Sequence, residues 1–302
     1  MPSRIRYARL ATERANPSSR ALDLLRPRQI AALMNREDRR AVAAVGRVTA
    51  AIGAGVERIV ASLARGGRLV FVGAGTSGRL GVLEAAECPP TFGTPRSLVQ
   101  AIMAGGRASV FRSREGAEDD VRAARRAVRA RVRRGDVVVG ISASGVTPFV
   151  RAALVAAGAR GAATILVACN ATRGQGRALL IAPAPGPEVL AGSTRLKAGT
   201  ATKLVLNTLT TASMTRLGKV YGNRMVDLQP RSAKLRARAE RLVSEIAGID
   251  GPRARRTLEH ARGRVRVAIV MARRNLSADA AARALRAAGG SLRLVLEQPS
   301  PR

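Results

Sequence analysis

Between Arg39 and Arg65, apolar residues recur at Val42, Val45, Val48, Ile52, Val56, Ile59, Val60 and Leu63, a spacing that predicts one long amphipathic helix. Short β-rich apolar runs follow at Leu69–Val72, Leu98–Met103, Asp136–Ile141 and Ala163–Cys169, with Leu179–Ile181 as a fifth. Between the second and third runs, Arg122, Arg125, Arg126 and Arg129 interleave with Val121, Ala124, Val128 and Val132, a solvated helix face opposite a buried one. A helix rich in Ala and Val extends to about Ala157. Strands alternating with helices predict an α/β fold, a doubly wound parallel sheet whose ligands bind at the strands' carboxyl ends.

The flanks differ from this centre. Residues up to about Arg40 form a polar, Arg-rich arm with short helices expected at Ala21–Leu25 and Pro27–Met34. Residues 186–203 enter a long helix reaching about Leu217, and a linker near Val226–Ser232 carries Pro230. Small helices are expected over 233–247, 251–262, 265–273 and 277–288, with Gly289-Gly290 as a break. The organisation read from this is an arm with helices over 1–57, an α/β ligand-binding domain over 58–228 and a small helical domain over 229–302. A domain of about 70 residues folds only marginally alone.

The first strand runs into Gly73-Ala74-Gly75-Thr76-Ser77-Gly78, and a short helix that Pro89 and Pro90 are expected to stop. Strand, glycine turn and helix start aim backbone N–H groups and the positive helix end at an anion. The run fits G-x-G-x-x-G, the dinucleotide fingerprint, but that reading needs an acidic residue about 20 positions on. Thr91 to Gly106 holds no Asp or Glu. Thr76 and Ser77 instead offer hydroxyl donors suited to a phosphomonoester. A second loop of the same type, Ser142-Ala143-Ser144-Gly145-Val146-Thr147, follows the third strand. Gly75, Thr76, Ser77 and Gly78 with Ser142, Ser144, Gly145 and Thr147 are therefore the candidate phosphate-binding residues. Ser and Gly also simply make turns, and two such loops in one sheet tip the balance towards a ligand.

Composition narrows the function. With 53 Lys+Arg against 20 Asp+Glu, the 302-residue chain carries a formal charge of +33. Such a charge suits polyanions, but aromatic residues are 2% and Trp is absent, so base-stacking platforms are scarce. The arginines are also spread along the chain, which favours a solvated surface over a specific nucleic-acid site. Apolar runs are too short for a membrane span, and the basic Met1–Arg6 start has no apolar stretch after it to make a secretory signal. Cys88 and Cys169 are too few for a disulfide framework or a zinc site, which fits a reducing cytoplasm. No metal site is expected.

Carboxylates supply the remaining chemistry. Glu84 and Glu87 share one side of the first helix, and Glu115 and Glu118 are expected to open the next, where an acid is as often a dipole partner as a reactant. A carboxylate pair flanking a sugar can run acid/base chemistry. The single His260 lies in an Arg-rich, polar stretch and reads as a surface residue.

Several stretches resemble one family over nearly the whole chain. They are Thr12-Glu13-x-x-Asn16, GAGTSGRLG at 73–81, AECPPTFG at 86–93, EGAED at 115–119, SASG at 142–145, GSTRLKAGTATK at 192–203 and GKVYGNxMVD at 218–227. Together they are similar to the N-acetylmuramic acid 6-phosphate etherases, which carry a sugar isomerase (SIS) domain. The long 186–203 stretch is also shared with the glucokinase regulatory protein, a related non-enzymatic sensor. The resemblance implies a cofactor-free lyase that removes the D-lactyl ether of N-acetylmuramic acid 6-phosphate in cell-wall sugar recycling. It places the two catalytic glutamates at Glu87, as proton donor, and Glu118. Ser77, Ser142 and Ser144 would hold the 6-phosphate, Ser193 and Lys197 would line the sugar or the loop behind it, and the chain would form a homodimer with its site near the interface. Val146 stands where the family pattern leads one to expect Arg, and Ser232 where it leads one to expect Asn. The rival readings are a sugar-phosphate-binding regulator without turnover, a SIS-domain isomerase, and a transcriptional regulator, which would need an N-terminal helix-turn-helix.

Overall fold

The computed structural model describes residues 10–170, 176–228, 230 and 232–297; the Met1–Arg6 start lies outside them. By their contacts the residues group into two compact units, Met1–Ala86 with Arg96–Thr210, and Glu87–Pro95 with Thr211–Arg302. No helix among the described residues is long and apolar enough to cross a membrane.

The first unit is built on five parallel strands, β1 (Leu69–Gly73), β2 (Val99–Met103), β3 (Val137–Ile141), β4 (Ala163–Val167) and β5 (Leu179–Ile181), in the order β2-β1-β3-β4-β5. Every residue of β1 and β3 is buried, because helices cover both faces of the sheet. Val70, Val72, Val138 and Leu166 pack on α4 (Val121–Arg131) and α5 (Pro148–Ala159) through Ala124, Val128, Phe149 and Ala153. On the other face, α3 (Gly75–Phe92) comes so close to β1 that a Cβ on Gly81 would lie 2.8 Å from that of Phe71. A Cβ on Gly55 of α2 (Thr49–Ala64) would lie 3.2 Å from Ile181 Cδ1 of β5 and 2.9 Å from Leu209 Cδ2 of α6 (Lys197–Arg216). This is the doubly wound α/β architecture that the alternating pattern predicts.

The helix expected over Arg39–Arg65 is two helices. α1 (Pro27–Gly46) ends in a tight turn in which Val48 N donates to Val45 O at 3.1 Å, and α2 starts at Thr49. Both halves keep the same apolar period, so periodicity alone could not show the break. The expected stop at Pro89-Pro90 is also displaced, since α3 continues to Phe92 and closes on Gly93, whose φ is +63°. Proline's fixed φ is helical, and the lost bonds fall to the carbonyls of the half-buried Ala85 and the exposed Ala86, where water can serve them.

The second unit has a small hairpin, β6 (Val220–Tyr221) with β7 (Arg224–Met225), and the helices α7 (Ala233–Ala247), α8 (Gly251–His260), α9 (Val265–Arg274), α10 (Ala278–Ala287) and α11 (Leu292–Glu297). They close on Val226, Leu242, Val243, Ile269, Val270, Leu285 and Leu292. Ser232 caps α7 by accepting from Leu235 N at 3.2 Å, a task for which Ser and Asn are equivalent. Asp227 is held by Lys219 at 2.6 Å and by the Nε–Nη2 edge of the Arg266 guanidinium, at 2.9 and 2.8 Å.

Candidate active site

The strand order reverses between β1 and β3, so the loops leaving their carboxyl ends diverge and open a crevice. These loops are the two hydroxyl-rich glycine stretches. Gly73 pairs with Ile141 in register, which starts both loops from the same level of the sheet.

Glycine is required in the first loop. A Cβ on Gly73 would lie 2.6 Å from Gly78 N, and one on Gly78 would strike the Met103 sulfur and the Gly73 carbonyl. Gly75 has φ +52°. Gly78 N donates to Ala74 O at 3.0 Å, so the N–H groups of Gly75, Thr76 and Ser77 form the open first turn of α3. Thr76 and Ser77 are half-buried there. This turn has the donors and the dipole that an anion needs.

The second loop is shaped by its own hydroxyls. Ser142, 2% exposed, has its Oγ 2.8 Å from Thr147 Oγ1 and 3.2 Å from Ser144 Oγ, and it accepts from Gly145 N at 3.0 Å. Ser144 accepts from Val146 N at 3.2 Å, and Val146 is buried, so its side chain packs where an arginine would have had to leave the core. Gly145, at φ +75°, turns the chain, and its carbonyl accepts from Arg151 Nε at 3.1 Å. Ser144 and Thr147 remain half-buried with hydroxyls bonded within the cluster. Such hydroxyls can turn to an incoming phosphate without leaving a group unpaired.

A third segment leaves the same edge. Ala104, just after β2, donates to Gly73 O at 3.0 Å, and the chain then runs through short turns to Glu118. Glu118 is exposed and lies in a 3₁₀ turn, Ala117–Asp119, rather than in the first turn of α4. Asp120 is the cap of α4, accepting from Ala123 N at 2.7 Å. A local acid pattern does not reveal which of several carboxylates becomes the cap.

Glu84 and Glu87, three residues apart on α3, have opposite surroundings. Glu84 is 4% exposed and is bound by Lys203 Nζ and Thr210 Oγ1, each at 2.6 Å. Glu87 is exposed and belongs to the second unit.

Ser193 and Lys197 precede and open α6. Ser193 N donates to Leu190 O at 3.0 Å, and the residue is half-buried. Lys197 is 1% exposed and its Nζ donates to Glu37 Oε2 at 2.6 Å. Glu37 also accepts from Asn16 Nδ2 at 2.8 Å and faces Arg40 at 3.2 Å. Burial works to raise the Glu37 pKa, but the bonds from Lys197 and Asn16 outweigh it and hold it below the ordinary 4.5. Glu188 accepts from the backbone N–H groups of Lys197 and Ala198, both at 2.9 Å, capping α6; burial raises its pKa in spite of them. The thiol of Cys169 is pushed up to about 12 by burial, so it is inert at neutral pH.

The arm reaches the second glycine loop through Asn170, just beyond β4. Asn170 Nδ2 donates to Ala143 O at 3.0 Å and Thr12 Oγ1 at 3.1 Å, while its Oδ1 accepts from Thr12 N at 3.3 Å. Asn170 and Glu37 were not legible as parts of this region, since Asn170 meets Thr12 across 158 positions and Glu37 meets Lys197 across 160. His260 ends α8 on the surface.

Fold and loops define a SIS-domain protein, and residues 51–157 match the family described as the glucokinase regulatory protein N-terminal SIS domain. The chain is 50% identical over 291 residues to the N-acetylmuramic acid 6-phosphate etherase of Geobacillus thermodenitrificans, covering 95% of this chain and 99% of that one. It is 49% identical over 298 residues to that of Gloeobacter violaceus, covering 98% and 97%. It therefore belongs to the N-acetylmuramic acid 6-phosphate etherase family.

Proposed function

We propose that the chain is a carbon–oxygen lyase that converts N-acetylmuramic acid 6-phosphate and water into N-acetylglucosamine 6-phosphate and D-lactate in the recycling of cell-wall sugar. The family relationship supports the reaction. The observation that carries the site is the β1–β3 pairing, which sets two hydroxyl-rich loops side by side at the switch point.

In the reaction, the open-chain aldehyde acidifies the C2 proton. A carboxylate removes that proton, the C3–O bond breaks, and the departing lactate oxygen takes a proton from an acid. Water then adds across the C2–C3 double bond and restores the C3 hydroxyl. Glu87 and Glu118 are our choice for this proton traffic, with Glu87 as the donor, following the family resemblance. Thr76 and Ser77, with the N–H groups of the first turn of α3, and Ser142, Ser144 and Thr147 hold the 6-phosphate. Ser193 lines the sugar side. Lys197, closed onto Glu37, shapes the loop behind it. We further propose a cytoplasmic homodimer with its sites near the subunit interface, which light scattering on the purified chain would read as twice the 31.6 kDa mass.

The test is D-lactate release from N-acetylmuramic acid 6-phosphate in ¹⁸O-labelled water. Elimination and hydration put the label on the sugar C3 hydroxyl and none in the lactate. Label in the lactate would contradict the mechanism, and binding without lactate release would make the chain a sugar-phosphate-binding regulator.

A further inference from the structure

Arg79 lies one residue beyond the first glycine loop, where an arginine is most simply read as a phosphate ligand. The geometry gives it other work. Its Nε donates to Val110 O at 2.7 Å and its Nη2 to Ser109 O at 3.0 Å, with Ser113 Oγ at 3.5 Å. The Nε–Nη2 edge of the fork, which would grip a phosphate in bidentate fashion, is turned onto two consecutive carbonyls. Those carbonyls end the 3₁₀ turn Arg107–Val110, where they have no partner from the turn itself and where a cation is favoured.

The segment carrying Glu118 comes directly after that turn. Residues 111–116 are exposed, and their backbone bonds are local, Phe111 N and Arg112 N both to Ala108 O. Downstream the segment is fixed by Ala117, packed against the apolar layer under α5, and by Asp120 at the start of α4. Upstream, its side-chain anchor among the described residues is Arg79.

We propose that Arg79 is a positioning residue for the Glu118 carboxylate, acting through the carbonyls of Ser109 and Val110. It thereby couples the phosphate-binding turn of α3 to the placement of the acid/base group. The proposal rests on the reading of Glu118 as a reacting carboxylate, and its test separates the two.

Steady-state lactate release is measured for Arg79→Gln, Arg79→Lys, Glu118→Gln and the Arg79→Gln/Glu118→Gln pair, with inhibition by N-acetylglucosamine 6-phosphate. Arg79→Gln should lower kcat about tenfold or more while KM and product inhibition move less than about threefold. Arg79→Lys, which keeps a donor to one carbonyl, should recover part of the loss. In the Glu118→Gln background the loss of Arg79 should cost less than about twofold further, since the two act as a unit. Hydrogen exchange supplies a readout independent of turnover, in which the amides of 109–120 should exchange about tenfold faster in Arg79→Gln while those of α5 hold. A rise in KM and in the product inhibition constant with kcat kept would overturn the proposal and make Arg79 a phosphate ligand. Multiplicative losses in the pair, or unchanged exchange, would also overturn it. No lactate from the unaltered chain strikes the etherase reading, and the exchange experiment then decides the anchoring alone.

Discussion

At the crevice between β1 and β3, Ser144 and Thr147 are half-buried and their hydroxyls bond mainly among themselves. Beneath the N-terminal arm, Lys197 and Glu37 are each about 1% exposed and closed together at 2.6 Å. Ser144, Thr147 and Lys197 all read from sequence as substrate contacts. The difference lies in what their polar atoms have left to give. A hydroxyl cluster can exchange its internal bonds for a phosphate at little cost. A buried ammonium on a carboxylate cannot, because releasing either partner strands a charge in the core. Glu84 and Glu87 repeat the contrast on one helix, the first held by Lys203 and Thr210, the second open to solvent.

The largest effect should come from breaking the closed pair. Lys197→Met leaves Glu37 buried beside apolar surface and should cost about 3–5 kcal/mol of stability in denaturant unfolding. Glu37→Leu with Lys197→Met should restore most of it, because no charge is then stranded. A single substitution that unfolds no more easily than the unaltered chain would place Lys197 among the ligand-facing groups after all.

A subtler effect separates the two carboxylates of the arm region by pH. The Glu37 pKa is lowered, so its contribution is present above 4.5 and is lost as pH falls through its folded value. The Glu188 pKa is raised, so its contribution is present below 4.5 and is lost as pH rises through its folded value. The destabilisation caused by Glu37→Gln should therefore grow from pH 4 to pH 7, and that caused by Glu188→Gln should shrink. Parallel pH profiles would contradict the assignment.

The smallest effect on stability belongs to the crevice. Ser144→Ala should cost under about 1 kcal/mol in unfolding yet raise KM about tenfold, the worth of one hydrogen bond to a charged group.

The sheet was legible because each strand is a short β-rich run ending in a turn, and fully buried strands need no partner to declare themselves. Both glycine loops were legible for the same local reason. The break between α1 and α2 was hidden by a period common to both helices. The passage of α3 through Pro89 and Pro90 depends on where the freed carbonyls point, which is a tertiary matter. The commitment of Lys197 to Glu37 joins residues 160 positions apart, and that of Thr12 to Asn170 joins residues 158 apart. Motif membership says that a residue matters. Counting its partners says for what.

The most direct test pairs turnover with binding in Glu87→Gln and Glu118→Gln. The account predicts that the unaltered chain releases D-lactate from N-acetylmuramic acid 6-phosphate. Each variant should lose at least about a hundredfold in kcat. Binding of N-acetylglucosamine 6-phosphate should be retained in both. A variant of either glutamate that turns over at the unaltered rate would contradict the assignment of proton traffic to this pair.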